Sequence, residues 1–264
     1  MKPLFSAEGA AVVDDIARDR TFLAFDFDGT LAPIVDERSE AQMRPETLAL
    51  LRATALLYPC AVISGRARAD VAARVADVPL AAIVGNHGAE AGFGPLDREL
   101  VALVRTWADE LQRTLAGAEG VEIEDKRFSI ALHYRRARSW QDAERVILAA
   151  TASLQGATAF GGHAVVNVVP AGAPTKGDAL RALCARNGTS SAMYVGDDST
   201  DEEAFRSEVV GTSIRVGENI DSAAQYFVPD QAGIDELLRQ LIAGRTRHDG
   251  LGDRSGGIVR AVRR

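Results

Sequence analysis

The sequence predicts a doubly wound α/β fold, a parallel sheet with helices on both faces, that carries an inserted α+β domain. Short all-apolar runs such as FLAF and CAVI alternate with helical stretches, as in βαβ units. A break in this rhythm near the middle of the chain predicts the insertion. The chain has 264 residues, 47% of them hydrophobic, which is enough for a core domain with a smaller domain attached.

The predicted core begins with a short amphipathic helix and a strand over residues 21–27. Next come the helix PETLALLRATALLY, with Pro45 at its start, the strand CAVISG, the helix ARADVAARVA and the strand AAIVGN. After the insertion the rhythm resumes with TKGDALRALCARNG, SAMYVGDD, a helix near Glu202, TSIRVG and QYFV. We assign residues 1–94 and 170–264 to this core, and we expect the Gly- and Arg-rich tail, residues 244–264, to be loosely ordered.

Residues 95–169 are predicted to form the inserted domain. A helix over residues 98–115 precedes VEIED and FSIALHYR, which alternate as half-exposed antiparallel strands do. The helix QDAERVILAATASL and a hairpin that turns at Gly161-Gly162 complete the domain. If the domain moves during turnover, the joints near Gly94-Pro95 and from Pro170 to Gly172 are the expected hinges.

Charge and composition exclude several classes of protein. The net charge of −7 and the scattered basic residues argue against a nucleic-acid partner. No apolar run approaches the roughly 18 residues of a membrane span, and the N-terminus does not resemble a signal peptide. Cys60 and Cys184 lie in apolar runs and suit buried thiols in a reducing cytoplasm. We therefore expect a cytoplasmic protein, with a monomer favoured, that acts on a small molecule.

Acidic residues follow the predicted core strands. Asp26 and Asp28 come directly after the first strand, and Ser64-Gly65-Arg66 and Gly196-Asp197-Asp198 follow two others. Ligands bind beyond the carboxyl ends of such strands, and neighbouring carboxylates repel each other unless a cation lies between them. Mg²⁺ suits a site of carboxylates, waters and a phosphate oxygen. Its expected ligands are Asp26, Asp28 through its backbone carbonyl, Asp197, Asp198 and Asp201.

Each feature also has an ordinary structural explanation. A lone Asp after a strand is usually a turn or cap residue. Ser64-Gly65 is also explained as a helix cap. The segment DDSTDEE is also explained as a helix start whose acids favour the helix dipole. Their occurrence together, at strand ends and in this order, favours a functional site. Lys176 is the cation placed to balance the acids; its segment GAPTKG lacks the Gly-Lys-Ser/Thr order of a P-loop.

The segments DFDGTLAPI, SGR, PTKG and GDDSTDE resemble, in this order, the four motifs of the haloacid-dehalogenase-like (HAD) phosphatases. GNHGAE, EDKRFSIALHYR and the strand before PTKG are similar to trehalose-6-phosphate phosphatases, and the likeness spans about residues 20–230. The resemblance implies a Rossmann-like core with a cap domain. It also implies Mg²⁺-dependent hydrolysis of trehalose 6-phosphate to trehalose and phosphate through an aspartyl-phosphate.

The resemblance implies a role for each site residue. Asp26 would attack phosphorus. Asp28 would protonate the leaving sugar oxygen and then activate water, which requires surroundings that favour its protonated form. The phosphate would be held by Ser64, Gly65, Arg66 and Lys176. The sugar, chosen by the cap, would be contacted by Asn86, His87, Glu124, Lys126, His133, Arg135 and Asn167.

Two alternatives stay open for the function and one for the cap. The family typically has Glu, which contacts the sugar, where this chain has the uncharged Asn167, and this favours a related phosphatase for another sugar phosphate. A receiver-like phospho-acceptor is less favoured, because Asp28 sits two residues after the nucleophile and a receiver has no inserted domain. Glu124 and Lys126, on one strand face by alternation, are also explained as a solvated face with ion pairs.

Overall fold

The computed structural model describes residues 1–19, 21–35, 37–91, 98–162 and 164–250, and the chain divides into two compact units. The core unit consists of Met1–Gly92 and Thr175–Arg264, and the inserted unit of Phe93–Pro174. The sequence-based boundary and hinge at Gly94-Pro95 lie outside the described residues, as do residues 251–264 of the predicted tail.

The elements alternate between strands and helices through both segments of the core unit. In chain order the elements are β1 (Lys2–Pro3), α1 (Ala7–Arg18), β2 (Phe22–Phe25), α2 (Pro45–Leu57), β3 (Cys60–Ile63), α3 (Arg68–Arg74), β4 (Ala82–Val84), α4 (Arg98–Thr114), β5 (Glu122–Asp125), β6 (Ile130–His133), α5 (Trp140–Thr151), β7 (Ala157–Gly162), β8 (Val165–Pro170), α6 (Lys176–Asn187), β9 (Ala192–Gly196), α7 (Glu202–Phe205), β10 (Val210–Val216), β11 (Tyr226–Val228) and α8 (Ala232–His248).

The core unit contains a seven-stranded parallel sheet in the order β1-β11-β10-β9-β2-β3-β4, which confirms the predicted fold class. The central strands β2, β3 and β9 are buried along their whole length, as all-apolar strands between helical layers must be. Phe25 aligns with Val62 on one side and Val195 on the other, so these three strands end at nearly the same level.

Local signals account for the ends of the helices. Pro45 occupies the first turn of α2, where its missing N–H costs nothing. Helix α6 begins with a capping box, in which the Thr175 hydroxyl accepts from the Asp178 N–H and the Asp178 carboxylate accepts from the Thr175 N–H. The helix ends at Gly188, whose φ of +63° is the left-handed conformation of a glycine C-cap.

The C-terminal helix extends further than the composition of the tail predicts. Residues 244–248, expected to be loosely ordered, form the last part of α8, so that prediction is wrong for them. Gly244 packs so closely on α1 that a Cβ atom there would lie 2.6 Å from the Ala17 Cβ atom. The Arg245 guanidinium lies 4.8 Å from the centre of the Tyr58 ring and donates a hydrogen bond to the Asp19 carbonyl, so tertiary contacts override composition.

The inserted unit consists of a four-stranded antiparallel sheet, in the order β5-β6-β8-β7, and the helices α4 and α5. The apolar side chains of one sheet face share a core with the two helices; they include Ile130, Leu132, Val166 and Val168. The hairpin prediction is wrong in one detail, because Gly161 and Gly162 are strand residues paired with Val166 and Val165. The chain reverses only after Gly162, and Ala164, with φ +54°, precedes β8.

Among the helices of the described residues, none combines the length and the apolar character that a membrane crossing requires.

Candidate active site

The carboxyl ends of β2, β3 and β9 bring together residues that are far apart in sequence. Asp26 follows β2, Ser64 follows β3 and Asp197 follows β9, and β2 lies between the other two strands. The Asp26 N–H continues the sheet by donating to the Val195 carbonyl at 2.8 Å. Adjacent parallel strands thus place these three polar residues at one edge of the core sheet.

Lys176 lies between two of the carboxylates and is almost completely buried, with 2% of its surface exposed. Its ammonium nitrogen donates to Asp26 Oδ1 at 2.9 Å and to Asp201 Oδ1 at 2.8 Å. Burial lowers the pKa of Lys176, but Asp201 and Asp26 outweigh this effect, so the pKa stays well above its usual range. Lys176 is therefore a fixed positive charge beside the Asp26 carboxylate.

Asp201 is an organising residue of this edge, and no part of its surface is exposed. Its Oδ1 atom also accepts a hydrogen bond from the Tyr194 hydroxyl at 2.7 Å. Its Oδ2 atom accepts from the backbone N–H groups of Asp197 at 3.0 Å and Asp198 at 3.1 Å. With Lys176, four donors occupy the roughly four acceptor positions of a carboxylate. Asp201 thus fixes the loop after β9 and orients Lys176.

The acids in the site raise one another's proton affinity. Burial raises the pKa of Asp26 well above its usual range, Lys176 opposes this, and Asp201 and Asp197 add to it. Burial, followed by the charges of Asp201 and Asp198, raises the pKa of Asp197 to about 8. Carboxylates held this closely in a buried site favour either protons or a cation between them.

The donor set fits a hard divalent cation. One carboxylate oxygen from each of Asp26, Asp197 and Asp201 lies within 4.8 Å of the others. Gly29 has a φ of +81°, and a Cβ atom there would lie 2.0 Å from Asp197 Oδ2, so only glycine allows the segment after Asp28 to approach this carboxylate. Oxygen-only donors are those that Mg²⁺ prefers.

The side chains of two expected metal ligands, Asp198 and Asp28, are hydrogen-bonded to other protein groups. The Asp198 carboxylate accepts hydrogen bonds from the N–H and the hydroxyl of Thr200, both at 2.7 Å, and caps the turn that follows. Burial raises the pKa of Asp198, but Lys176 and these hydrogen bonds outweigh it, so the pKa is lowered. Asp28 was expected to act through its backbone carbonyl, and its carboxylate lies against Arg66.

Asp28 and Arg66 form a bidentate ion pair. Arg66 Nε and Nη2 donate to the two oxygens of Asp28, each at 2.6 Å, while Arg66 Nη1 donates to Asp70 at 2.8 Å. The Arg66 side chain is 4% exposed and the Asp28 side chain 34%. Two parallel hydrogen bonds from one guanidinium fix the orientation of the Asp28 carboxylate. Arg66, which the sequence predicts to bind phosphate, donates hydrogen bonds to two carboxylates in this structure.

The predicted phosphate-binding turn after β3 is buried. Ser64 has 1% of its surface exposed, and its hydroxyl accepts from the Arg66 N–H at 3.2 Å. The turn that carries Asn86 and His87 follows the neighbouring strand β4, and the His87 N–H donates to the Ser64 carbonyl at 3.0 Å. Asn86 and His87, grouped by sequence with the sugar contacts, thus belong to the core unit and lie beside Ser64.

The inserted unit holds the remaining candidates on the polar face of its sheet. In the antiparallel register, Glu124, Ala131, Asn167 and Phe160 lie opposite one another across the four strands, so their side chains share a face. His133 lies on the same face, with Nε2 2.8 Å from Glu124 Oε2. Lys126 directly follows β5 and is buried, with its N–H donating to the Ser129 carbonyl, and Arg135 follows β6.

Some residues that organise the site are not identified by sequence patterns. In the sequence, Tyr194 is indistinguishable from the other apolar residues of the strand AMYV. Asp70 is indistinguishable from an ordinary polar residue of a helix. Asp70 had a usable signal, because it lies four residues after Arg66, at a spacing that allows ion pairs in a helix. Arg215, at the end of β10, donates to the Asp198 carbonyl at 3.2 Å and has no such signal.

Comparisons with known proteins agree on one family. The family model for trehalose-phosphatase matches residues 24–230. The trehalose-phosphate phosphatase of Mycobacterium marinum is 32% identical over 248 residues, which are 86% of this chain and 63% of that protein. The chain therefore spans less than two thirds of the length of that relative.

Solved structures share the fold at lower identity. The C-terminal domain of the Candida albicans trehalose-6-phosphate phosphatase is similar with a TM-score of 0.76 and 18% identity, over 92% of this chain and 98% of that one. A phosphatase of the haloalkanoate (HAD) superfamily from Bacteroides thetaiotaomicron has a TM-score of 0.59 and 16% identity, over 84% of this chain and 94% of that one. At these identities the likeness supports the fold alone.

Proposed function

The chain belongs to the trehalose-phosphatase family, and from this premise we propose that it is a Mg²⁺-dependent phosphatase that hydrolyses trehalose 6-phosphate to trehalose and phosphate. The observation that carries the proposal is the buried ion pair of Lys176 with Asp26 and Asp201, beside Asp197 at the edge of the core sheet. In an ion pair that serves only the fold, the charges of acid and base balance each other. Here one ammonium faces several acids, which suits a site that receives a cation and a phosphate.

Asp26 is the proposed nucleophile. Lys176 holds its Oδ1 atom at 2.9 Å, so we assign attack on phosphorus to the other oxygen, Oδ2. The product of this step is an aspartyl-phosphate, whose acyl-phosphate bond water can cleave. Lys176 keeps its positive charge throughout, and this charge offsets the negative charge of the transferring phosphoryl group.

Asp28 is the proposed acid and base. It gives a proton to the leaving sugar oxygen and then takes one from the water that attacks the aspartyl-phosphate. The two hydrogen bonds from Arg66 orient the Asp28 side chain for these steps.

The metal ligands in this proposal are the carboxylates of Asp26 and Asp197 and the backbone carbonyl of Asp28. The Asp201 carboxylate lies within reach of the same site but already accepts four hydrogen bonds, so we assign it, with Asp198, to fixing the loop after β9. When bound, Mg²⁺ would supply Lewis-acid stabilisation of the phosphoryl oxygens. The N–H groups after Asp26, together with Ser64 and Gly65, are the proposed phosphate cradle.

Sugar selection is assigned to the polar sheet face of the inserted unit. Glu124 and Asn167 share this face, and His133 orients Glu124 through their 2.8 Å contact. Carboxylate and amide groups suit the hydroxyls of a sugar, and Lys126 and Arg135 add positive charge. A second candidate function, hydrolysis of another sugar phosphate, is favoured by Asn167, because an amide replaces the carboxylate typical of the family.

A cytoplasmic monomer completes the proposal. Cys60 and Cys184 are free and buried in the described structure, as suits a reducing compartment.

Phosphate release in the presence of Mg²⁺ tests the proposal, with trehalose 6-phosphate, glucose 6-phosphate, sucrose 6-phosphate and an aryl phosphate as substrates. We expect a clear preference for trehalose 6-phosphate, and a loss of at least about a thousandfold in Asp26→Asn. Removal of Mg²⁺ with EDTA should abolish the activity. Asp15→Asn, which changes an exposed acid of α1, is the matched control and should leave the rate unchanged.

Two other outcomes would overturn parts of the proposal. Preference for a different sugar phosphate would retain the mechanism and favour the second candidate function. A phospho-aspartate that accumulates without turnover would instead indicate a phospho-acceptor.

A further inference from the structure

The turn that carries Asn86 and His87 is bound to the segment after β3, within the core unit. The Asn86 N–H donates to the Arg66 carbonyl at 2.8 Å, and the His87 N–H donates to the Ser64 carbonyl at 3.0 Å. The Glu90 carboxylate accepts a hydrogen bond from the Asn86 side-chain amide at 2.9 Å, which closes the turn. The same backbone segment therefore fixes the positions of Ser64, Arg66 and His87.

The backbone of this turn adopts an uncommon conformation. Asn86 has a φ of +50° and His87 a φ of +56°, so two successive residues with side chains lie in the left-handed region. This conformation is rare for residues other than glycine and clusters at functional sites, where the surrounding contacts enforce it. Here the contacts with Ser64 and Arg66 enforce it, and the result is the placement of the His87 ring.

The His87 ring lies directly against Gly65. A Cβ atom on Gly65 would be 2.4 Å from Cε1 of the ring and 2.7 Å from Nε2, so any larger residue at position 65 would displace the imidazole. Both ring nitrogens are buried. The ring also lies within electrostatic reach of Asp198 in the loop after β9, because a positive charge on His87 lowers the pKa of that carboxyl. The imidazole thus lies near two of the three strand ends that form the site.

We propose that His87 belongs to the phosphate site of the core unit and donates a hydrogen bond to the phosphoryl group, rather than to the sugar. This inference rests on the proposed function, because the cradle of Ser64 and Gly65 is part of that proposal. An imidazole in contact with Gly65 lies next to any oxyanion that the Gly65 N–H holds. A ring N–H donor is present in both the neutral and the charged histidine, so the contact does not require a change of protonation.

The inference predicts that His87 contributes equally to substrates with and without a sugar. In His87→Asn the new side chain tolerates the left-handed backbone but is too short to replace the imidazole. We expect kcat/KM to fall about 10- to 100-fold for both trehalose 6-phosphate and an aryl phosphate, as for the loss of one hydrogen bond to a charged group. Inhibition by inorganic phosphate, which carries no sugar, should weaken by a similar factor.

Two further variants keep the test interpretable. His87→Gln has a longer side chain with an N–H donor, so it should recover part of the kcat/KM that His87→Asn loses. If His87 has only a structural role, His87→Gln should recover nothing, because Gln tolerates the left-handed backbone less well than Asn does. His248→Asn, on α8, changes a histidine that is ion-paired with Asp14 and should leave all three measurements unchanged. Thermal unfolding of each variant identifies any that fail to fold.

The outcomes separate this inference from the proposed function. A loss with trehalose 6-phosphate alone, with inhibition by phosphate unchanged, would make His87 a sugar contact and overturn the inference. Unchanged kinetics in both His87 variants would also overturn it. If the wild-type protein hydrolyses the aryl phosphate but not trehalose 6-phosphate, the proposed substrate fails, while the aryl phosphate and inorganic phosphate still test His87.

Discussion

The side chains of Asp28 and Arg66 are joined by two hydrogen bonds of 2.6 Å, and this contact limits what each residue can do. Arg66 is almost completely buried and is also bound to Asp70, so its guanidinium is held in one orientation. A guanidinium held in one orientation is suited to positioning Asp28, because it is not free to move toward a bound substrate. We therefore treat Arg66 as a positioning residue for the proposed acid and base.

Replacement of Arg66 distinguishes positioning from phosphate binding. In Arg66→Gln we expect kcat to fall about 10- to 100-fold, part of the contribution of general acid–base catalysis, while KM stays within about threefold. Arg68→Gln is the matched control, because its side chain is exposed and its Nε donates only to the Ile83 carbonyl among the described contacts. A large rise in KM for every phosphate ester, with kcat unchanged, would support the phosphate-binding role predicted from sequence.

The sequence predicted which residues lie together at the site but not which side chains pair with each other. Asp26, Ser64 and Asp197 each follow a parallel strand, so topology alone brings them to one edge. The pairing of Asp28 with Arg66 depends on Asp70, one helical turn later, and on the burial of the guanidinium. Motif spacing carries no information about such side-chain directions.

The loop after β9 concentrates negative charge at the end of one strand. The pKa of Asp197 is raised to about 8 from an ordinary value of 3.8, by burial and then by the charges of Asp201 and Asp198. Between these two values Asp197 binds more protons in the folded, metal-free protein than in the unfolded chain. The contribution of Asp197 to stability is therefore fully present below about pH 4, falls as the pH rises to about 8, and levels off above that. A bound cation favours the ionised carboxylates and opposes this fall.

Thermal unfolding in EDTA tests the charge of this loop. We expect the melting temperature of the wild-type protein to fall by at least about 3 °C between about pH 5 and pH 8 relative to Asp197→Asn, whose amide does not ionise. Saturating Mg²⁺ should reduce the difference for the wild type. Parallel pH profiles for the two proteins would show that Asp197 does not carry the effect.

Apolar patterns predicted the core strands and most of the helices, because strands buried on both faces must be apolar throughout and helices must be apolar on one face. They did not predict β1, since two residues at a sheet edge leave no pattern. No helix was predicted after QYFV either, and the last residues of α8 lie in the segment expected to be loosely ordered, where contacts with Ala17 and Tyr58 hold the helix. Gly161 and Gly162 suggested a turn by composition, although pairing with β8 keeps them in the strand.

The molecule as a whole divides its chemistry between two units. The core unit holds the carboxylates and Lys176, and the inserted unit holds a sheet with one apolar and one polar face. This division follows from the sequence, because βαβ segments of buried strands flank a segment of alternating strands. Under the proposed function, the phosphoryl chemistry and the choice of sugar can therefore be changed separately.

Glu124 and Glu122 provide a matched pair for testing this separation, because they lie two residues apart on the same face of β5. We expect Glu124→Gln to lower kcat/KM for trehalose 6-phosphate about 10-fold, because an amide oxygen accepts a hydrogen bond from a sugar hydroxyl more weakly than a carboxylate does, while the aryl phosphate changes by less than about twofold. Glu122→Gln should leave both substrates unchanged. An equal loss with both would place Glu124 in the phosphoryl chemistry or the fold, and no loss would make this face an ordinary solvated one.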